Sequence, residues 1–218
     1  MLSEKVKERI EDYSKVMLKS NPFAIAAREG RLTEKNVVVY LTNLMWIFKQ
    51  HSYKIEHASK RAKAMGLNQI SDFMADKYVE ELDHYQWPQE DLKSLGVTAN
   101  IARPEGITSS AVQMISFLDE LIERNPSLFI VYMALLEYFT VLAAPEFLQN
   151  IEKKCGIPAS HFTAISKHVV ADEKHVLEGF QMIGAFASSR ENAIDVLATL
   201  EQSIVLVDDF FRECAVVQ

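Results

Sequence analysis

Apolar residues recur at three- and four-residue spacing along almost the whole of this 218-residue chain, and no alternating run breaks the pattern. That period belongs to helices rather than strands, so the spacing predicts an all-α protein. Seven Gly and six Pro punctuate the sequence, at places where helices should start and stop. The reading is a helix over 3–19, a short one opened by Asn21-Pro22 and closed near Gly30, and a long one from an N-cap at Thr33 to about Ala64. A fourth runs from Asn68 or Ser71 to Gln86, and Pro88 starts a shorter one that Gly96 ends. Residues 98–107, with Pro104 and Gly106, form the clearest loop, after which Ser109 or Ser110 caps a helix over 111–124. Pro126 suits the first turn of the next helix, which ends near Gly156, and Pro158 and Ser160 open another to about Phe186. Ser188-Ser-Arg-Glu191 has capping-box spacing for a last helix to about Cys214. With no repeat and no linker, the expectation is one domain over 1–218, a bundle of about seven to nine helices.

Hydrophobic residues make up 49% of the chain, enough for a large core. The net charge of −7 and acidic pI of about 5.4 argue against nucleic acid, which calls for a basic surface. The basic run Lys60-Arg61-Ala62-Lys63 is short and reads as a solvated helix face or helix end. Two cysteines, Cys155 and Cys214, make no disulfide framework and point to a reducing, cytoplasmic setting. The first fifteen residues are charged and amphipathic, unlike a signal peptide. The longest apolar stretch, Leu128–Leu148, is interrupted by Glu137 and Pro145 and is expected to be a buried core helix rather than a membrane span.

Three stretches carry chemistry. His168, Asp172 and His175 stand at i, i+4 and i+7, which puts two imidazoles and a carboxylate on one helix face. Glu81 and His84 stand at i, i+3. Glu137 sits alone among Tyr132, Met133, Leu135, Leu136, Tyr138 and Phe139, where an ionised carboxylate needs a cation, a tyrosine hydroxyl or a buried Lys or Arg as partner. Helix bundles that hold two metal ions use such an inventory, with Glu-x-x-His pairs projecting inward. Mixed oxygen and nitrogen ligands suit iron or manganese, whereas structural zinc favours four ligands, often thiolates, and no Cys lies near these motifs. His51 and Glu56, on the long helix, could each approach the same cavity and are expected in outer positions or at the surface. Trp46, Phe48 and Tyr53 are expected to line the core or a pocket, with Tyr132, Tyr138 and Trp46 as candidate gates.

The stretch from Asn21-Pro22-Phe23 through Gly30-Arg31-Leu32 to Tyr40 resembles the opening of the TenA/PqqC group, which has the heme-oxygenase-like fold. Glu81-Leu-Asp-His84, followed by Asp91-Leu92 and Leu95-Gly96, is similar to a segment of the iron-containing branch of that group, and His168-x3-Asp172-x2-His175 with Glu137 upstream resembles its ligand set. This branch comprises heme-oxygenase-like diiron oxidases and oxygenases, including the Chlamydia protein associating with death domains (CADD). The resemblance implies a ligand set of Glu81, His84, Glu137, His168, Asp172 and His175 holding two iron ions, two manganese ions or one of each. It further implies O2 and an external reductant as co-reactants. The substrate would be a small organic molecule such as an amine, amino acid, fatty acid or cofactor precursor, and the assembly a homodimer. CADD-like members place the first Glu seven residues before the His, a position held here by Lys77; other members place it three before, which gives Glu81. Two alternatives stand beside this reading: a metal-free TenA-like hydrolase of thiamin or pyrimidine fragments that uses pocket acids and a thiol, and a non-catalytic binding member of the fold.

Overall fold

A computed structural model describes residues 2–98, 106–186 and 190–216. Nine α-helices occur among the described residues, and no strand does. They are α1 (Leu2–Ser20), α2 (Pro22–Arg28), α3 (Glu34–Ala64), α4 (Asn68–Glu81), α5 (Gln86–Ser94), α6 (Ser109–Arg124), α7 (Phe129–Asn150), α8 (Thr163–Phe186) and α9 (Arg190–Ala215). The expected loop over 98–107 and the capping box at Ser188–Glu191 fall largely outside the described residues.

Local chemistry explains most of the boundaries. Asn21 caps α2 by accepting from the Phe23 N–H, and Pro22 fills its first position. Thr33 and Asn36 form a reciprocal capping box for α3. Thr108, rather than Ser109 or Ser110, caps α6, because its hydroxyl accepts from the Ala111 N–H; Ser110 instead donates to Thr108 and Glu213. Gly30 has a φ of +72°, and a Cβ there would stand 2.8 Å from the Lys154 carbonyl oxygen, so both its backbone and its packing require glycine.

α7 is apolar on nearly every side and is buried accordingly, with Phe129, Ile130, Val131, Tyr132, Ala134 and Leu135 all fully buried. Residues 126–155 are long and apolar enough to cross a membrane, but 67% of their most apolar window is buried inside the protein, as befits a core helix. The stretch opens as a 3-10 turn at Pro126–Leu128 and closes as a π turn at Ile151–Cys155, ended by Gly156 at φ +71°. α7 and α8 make the most extensive helix pair. Gly179 of α8 lies over Ala134 of α7, beside the Glu137 carboxylate, so the two backbones approach closely at the level of the chemistry.

The fourth predicted helix breaks earlier than expected. α4 stops at Glu81, residues 82–85 form a turn, and α5 restarts at Gln86. His84 therefore sits in a turn, not on a helix face. Pro88 explains the break: it has no N–H to give the His84 carbonyl, and its ring would clash with that group in a continuous helix. The Trp87 N–H bonds the His84 carbonyl instead, at 3.1 Å.

Candidate metal centre

The three sequence elements converge. His168, Asp172 and His175 lie on the buried face of α8, at 8%, 3% and 6% exposure. Glu81 comes from the end of α4, His84 from the turn after it and Glu137 from the middle of α7. The six side chains are linked by contacts of 4.0 Å or less. His84 Nδ1 is 2.6 Å from Glu81 Oε2, and His168 Nε2 is 4.0 Å from the same oxygen. His175 Nδ1 lies 4.0 Å from Glu81 Oε1, 3.8 Å from Glu137 Oε1 and 3.4 Å from Asp172 Oδ1. Glu81 thus stands between two groups, with Oε2 toward His84 and His168 and Oε1 toward His175. Donor atoms of Glu81, His84 and His168 all lie within 4.8 Å of one another.

Contacts are close, yet several of the atoms in them lack a well-aligned hydrogen bond, His84 Nδ1 among them at 2.6 Å from Glu81 Oε2. His84 Nδ1, Asp172 Oδ1 and His175 Nδ1 are buried atoms without a hydrogen-bond partner, despite neighbouring oxygens or nitrogens. Leaving such atoms unsatisfied costs about 1–3 kcal/mol each. All three can present a lone pair, so a cation among them would satisfy all three at once. Glu137 meets none of the partners that would make it an ordinary core carboxylate. No tyrosine, Lys or Arg pairs with it among the described residues, since Tyr138 donates to Glu11 and Tyr132 pairs with His51. Burial and the nearby Asp172 carboxylate push its carboxyl well above the usual range. Burial also works to raise Glu81, but its contacts with His168 and His84 outweigh that and hold it far below the usual range. Three carboxylates and three imidazoles with orphaned lone pairs fit a divalent-cation site.

Outer groups fix the rings. His168 Nδ1 donates to the Ala164 carbonyl at 2.8 Å, which leaves Nε2 facing Glu81. His175 Nε2 faces Glu80 Oε2 at 3.3 Å, which leaves Nδ1 facing the cluster. Glu80 is itself held by Lys77 at 2.9 Å, and Lys77 also pairs with Glu178 of α8 at 3.1 Å. Lys77 is 1% exposed, a buried cation set between carboxylates of two helices. Sequence reasoning met Lys77 only as the residue in the place of a family Glu and left open whether Glu80 ligates, and did not foresee their pairing, although Lys77 and Glu81 share a helix face at i, i+4. It also passed over Trp87, which stacks on His84 with ring centroids 3.8 Å apart and meets His168 edge-on at 5.1 Å.

A cavity of about 140 Å³ opens beside the cluster, with Glu81, Glu137, His168 and Asp172 on its wall. Phe48 and His51 of α3 line it, so His51 is the one of the two α3 candidates that approaches the cavity. Glu56 stays away, paired with Lys60 at 2.6 Å. Tyr53 is 51% exposed and lines neither core nor cavity. None of Trp46, Tyr132 and Tyr138 is on the cavity wall, so the expected gates are not gates. Neither thiol lines it: Cys155 bonds the Ala27 carbonyl, and Cys214 is buried in the core.

The chain has the heme-oxygenase-like fold, a class of helical bundle shared by proteins of several kinds. It superposes with a TM-score of 0.86 on a domain of unknown function with that fold from Shewanella denitrificans, at 18% identity, over 97% of this chain and 90% of the other. A CADD-like protein of unknown function from Nostoc punctiforme matches with a TM-score of 0.75 at 14% identity, covering 98% and 96%. A TenA homologue from Pseudomonas syringae pv. tomato matches with a TM-score of 0.76 at 9% identity, covering 98% and 92%. No protein-family model matches the chain, and no curated protein sequence is similar to it.

Proposed function

We propose that the cluster holds two metal ions, iron in the first instance, and that the protein is a non-heme oxidase or oxygenase of a small organic molecule. The observation that carries this reading is the set of unpartnered lone-pair atoms on His84, Asp172 and His175, buried among three carboxylates. Glu81, His84 and His168 would hold one ion, and Glu137, Asp172 and His175 the other. Bound iron would supply the reduction of O2, with electrons drawn from an external reductant. Manganese, or one iron and one manganese, would suit the same donors.

The chain's own groups prepare the site. His168 and His175 each give one ring nitrogen to an outer acceptor, Ala164 or Glu80, and keep the other for a ligand. The Glu137 carboxyl, whose neutral form burial favours, would ligate as the carboxylate beside a cation. The apolar cavity wall would keep bulk water from the reacting centre. Protein loaded anaerobically with Fe(II) is expected to consume O2 in an oxygen-electrode measurement. The His175→Ala variant should consume none, with its helical circular dichroism unchanged. Uptake that persists in that variant overturns the ligand assignment.

A further inference from the structure

We propose that the cavity binds an uncharged molecule with a benzene-sized apolar body and one neutral hydrogen-bonding group, and that His51 reads that group. This deepens, and rests on, the reading of the cavity as the substrate site of a metal oxidase.

Size comes first. The cavity volume is about 140 Å³. A dry cavity of about 150 Å³ takes a benzene molecule, so the body of the ligand is of that order. Charge comes next. Among the described residues no Lys or Arg is on the wall, and away from the cluster it is built mainly from side chains such as Phe48, Met114, Phe139 and Phe147, with the hydroxyl-bearing Tyr40 and Thr140 among them. A carboxylate or ammonium turned toward that wall would lose its water and meet no opposite charge there. At the other end stand Glu81, Glu137 and Asp172, which repel an anion. Their own demand for positive charge is met by the cations of the proposed site. Free amino acids and fatty acids with a remote charged end therefore fit poorly.

The wall does carry neutral polar groups: the hydroxyls of Tyr40 and Thr140 and the ring of His51. His51 Nε2 pairs with the hydroxyl of the fully buried Tyr132 at 3.3 Å, and its other nitrogen has no partner among the described residues. Desolvation lowers the His51 pKa to about 4, so the ring is neutral at pH 7, with one donor and one acceptor nitrogen. A site built to hydrogen-bond a hydroxyl discriminates strongly against the analogue that lacks it.

The test uses four probes on full-length protein: 4-methylphenol, toluene and benzoate on the metal-free form, so that they do not depend on metal binding, and benzylamine on protein loaded with Mn(II), so that the three carboxylates are already paired. Calorimetric titration should give one 4-methylphenol site per chain, with toluene at least about fivefold weaker and the two charged probes weaker still. His51→Phe should bring 4-methylphenol down to the level of toluene. Ala144→Trp, which fills the cavity, should abolish binding at unchanged helicity; if that variant loses its helical signal, Thr140→Trp on the same wall replaces it. The inference is overturned if 4-methylphenol does not bind, if benzoate or benzylamine binds as tightly, or if a filled cavity still binds. Failure of this test in a protein that binds two metals sinks the ligand class alone. Success in a protein that binds none sinks the oxidase reading and leaves the pocket standing.

Discussion

Single residues carry most of the chemistry, and two of them make predictions of their own. Lys77 is buried between Glu80 and Glu178, and Glu80 faces the ring nitrogen of His175. Lys77→Met leaves two carboxylates without their buried partner and releases Glu80 from its post. The variant should be less stable by about 3 kcal/mol in urea unfolding. It should also bind Mn(II) about 10- to 100-fold more weakly by titration, because a metal ligand has lost its outer support. Equal affinity would show that Lys77 is structural only. His51 sets a pH dependence. Its folded pKa, about 4, lies below the unbound value of 6.5, so the unfolded chain takes up a proton first as pH falls. The stability it contributes is complete above pH 6.5 and is lost progressively as pH falls through about 4. At about 1.4 kcal/mol per unit, the loss is on the order of 3 kcal/mol. His51→Gln should flatten that part of a stability-against-pH curve; an unchanged curve refutes the assignment.

At the scale of elements, the sequence made some features legible and hid others for physical reasons. The helix period and the Gly and Pro signals placed α1, α2, α3 and α7 closely, because their caps and stops are local. The stripe of His168, Asp172 and His175 was readable because one helix carries all three. His84 was misplaced onto a helix, because the effect of Pro88 reaches back four residues and ends the continuous helix before it. The start of α8 was misread for a different reason. Its cap is Asp91 of α5, which accepts from the N–H groups of Thr163 and Ala164 at 3.0 and 2.9 Å and from the Thr163 hydroxyl. A cap supplied from 72 residues away leaves no local signal. Asp91 also sets the site, since the Ala164 carbonyl it helps to position orients His168. Asp91→Ala should cost about 1–2 kcal/mol in thermal or urea unfolding. A loss below about 0.3 kcal/mol would mean that the cap is dispensable.

Across the whole molecule, three separate segments must meet for the cluster to exist: the end of α4 with the turn after it, α7 and α8. Sequence spacing proposed the members, but only the packed bundle brings Glu137 and Asp172 to the same imidazole, His175. The cavity was illegible in advance, since its wall draws on α1, α3, α4, α6, α7, α8 and α9 in registers that no local pattern fixes. The fold itself hosts more than one kind of protein, so function is decided at the site. The most direct test is metal content by mass spectrometry after anaerobic loading with Fe(II), on wild type and His168→Ala in parallel. The account predicts about two irons per chain in wild type and a loss of at least one in the variant. No bound metal in wild type, or equal content in both proteins, would contradict it.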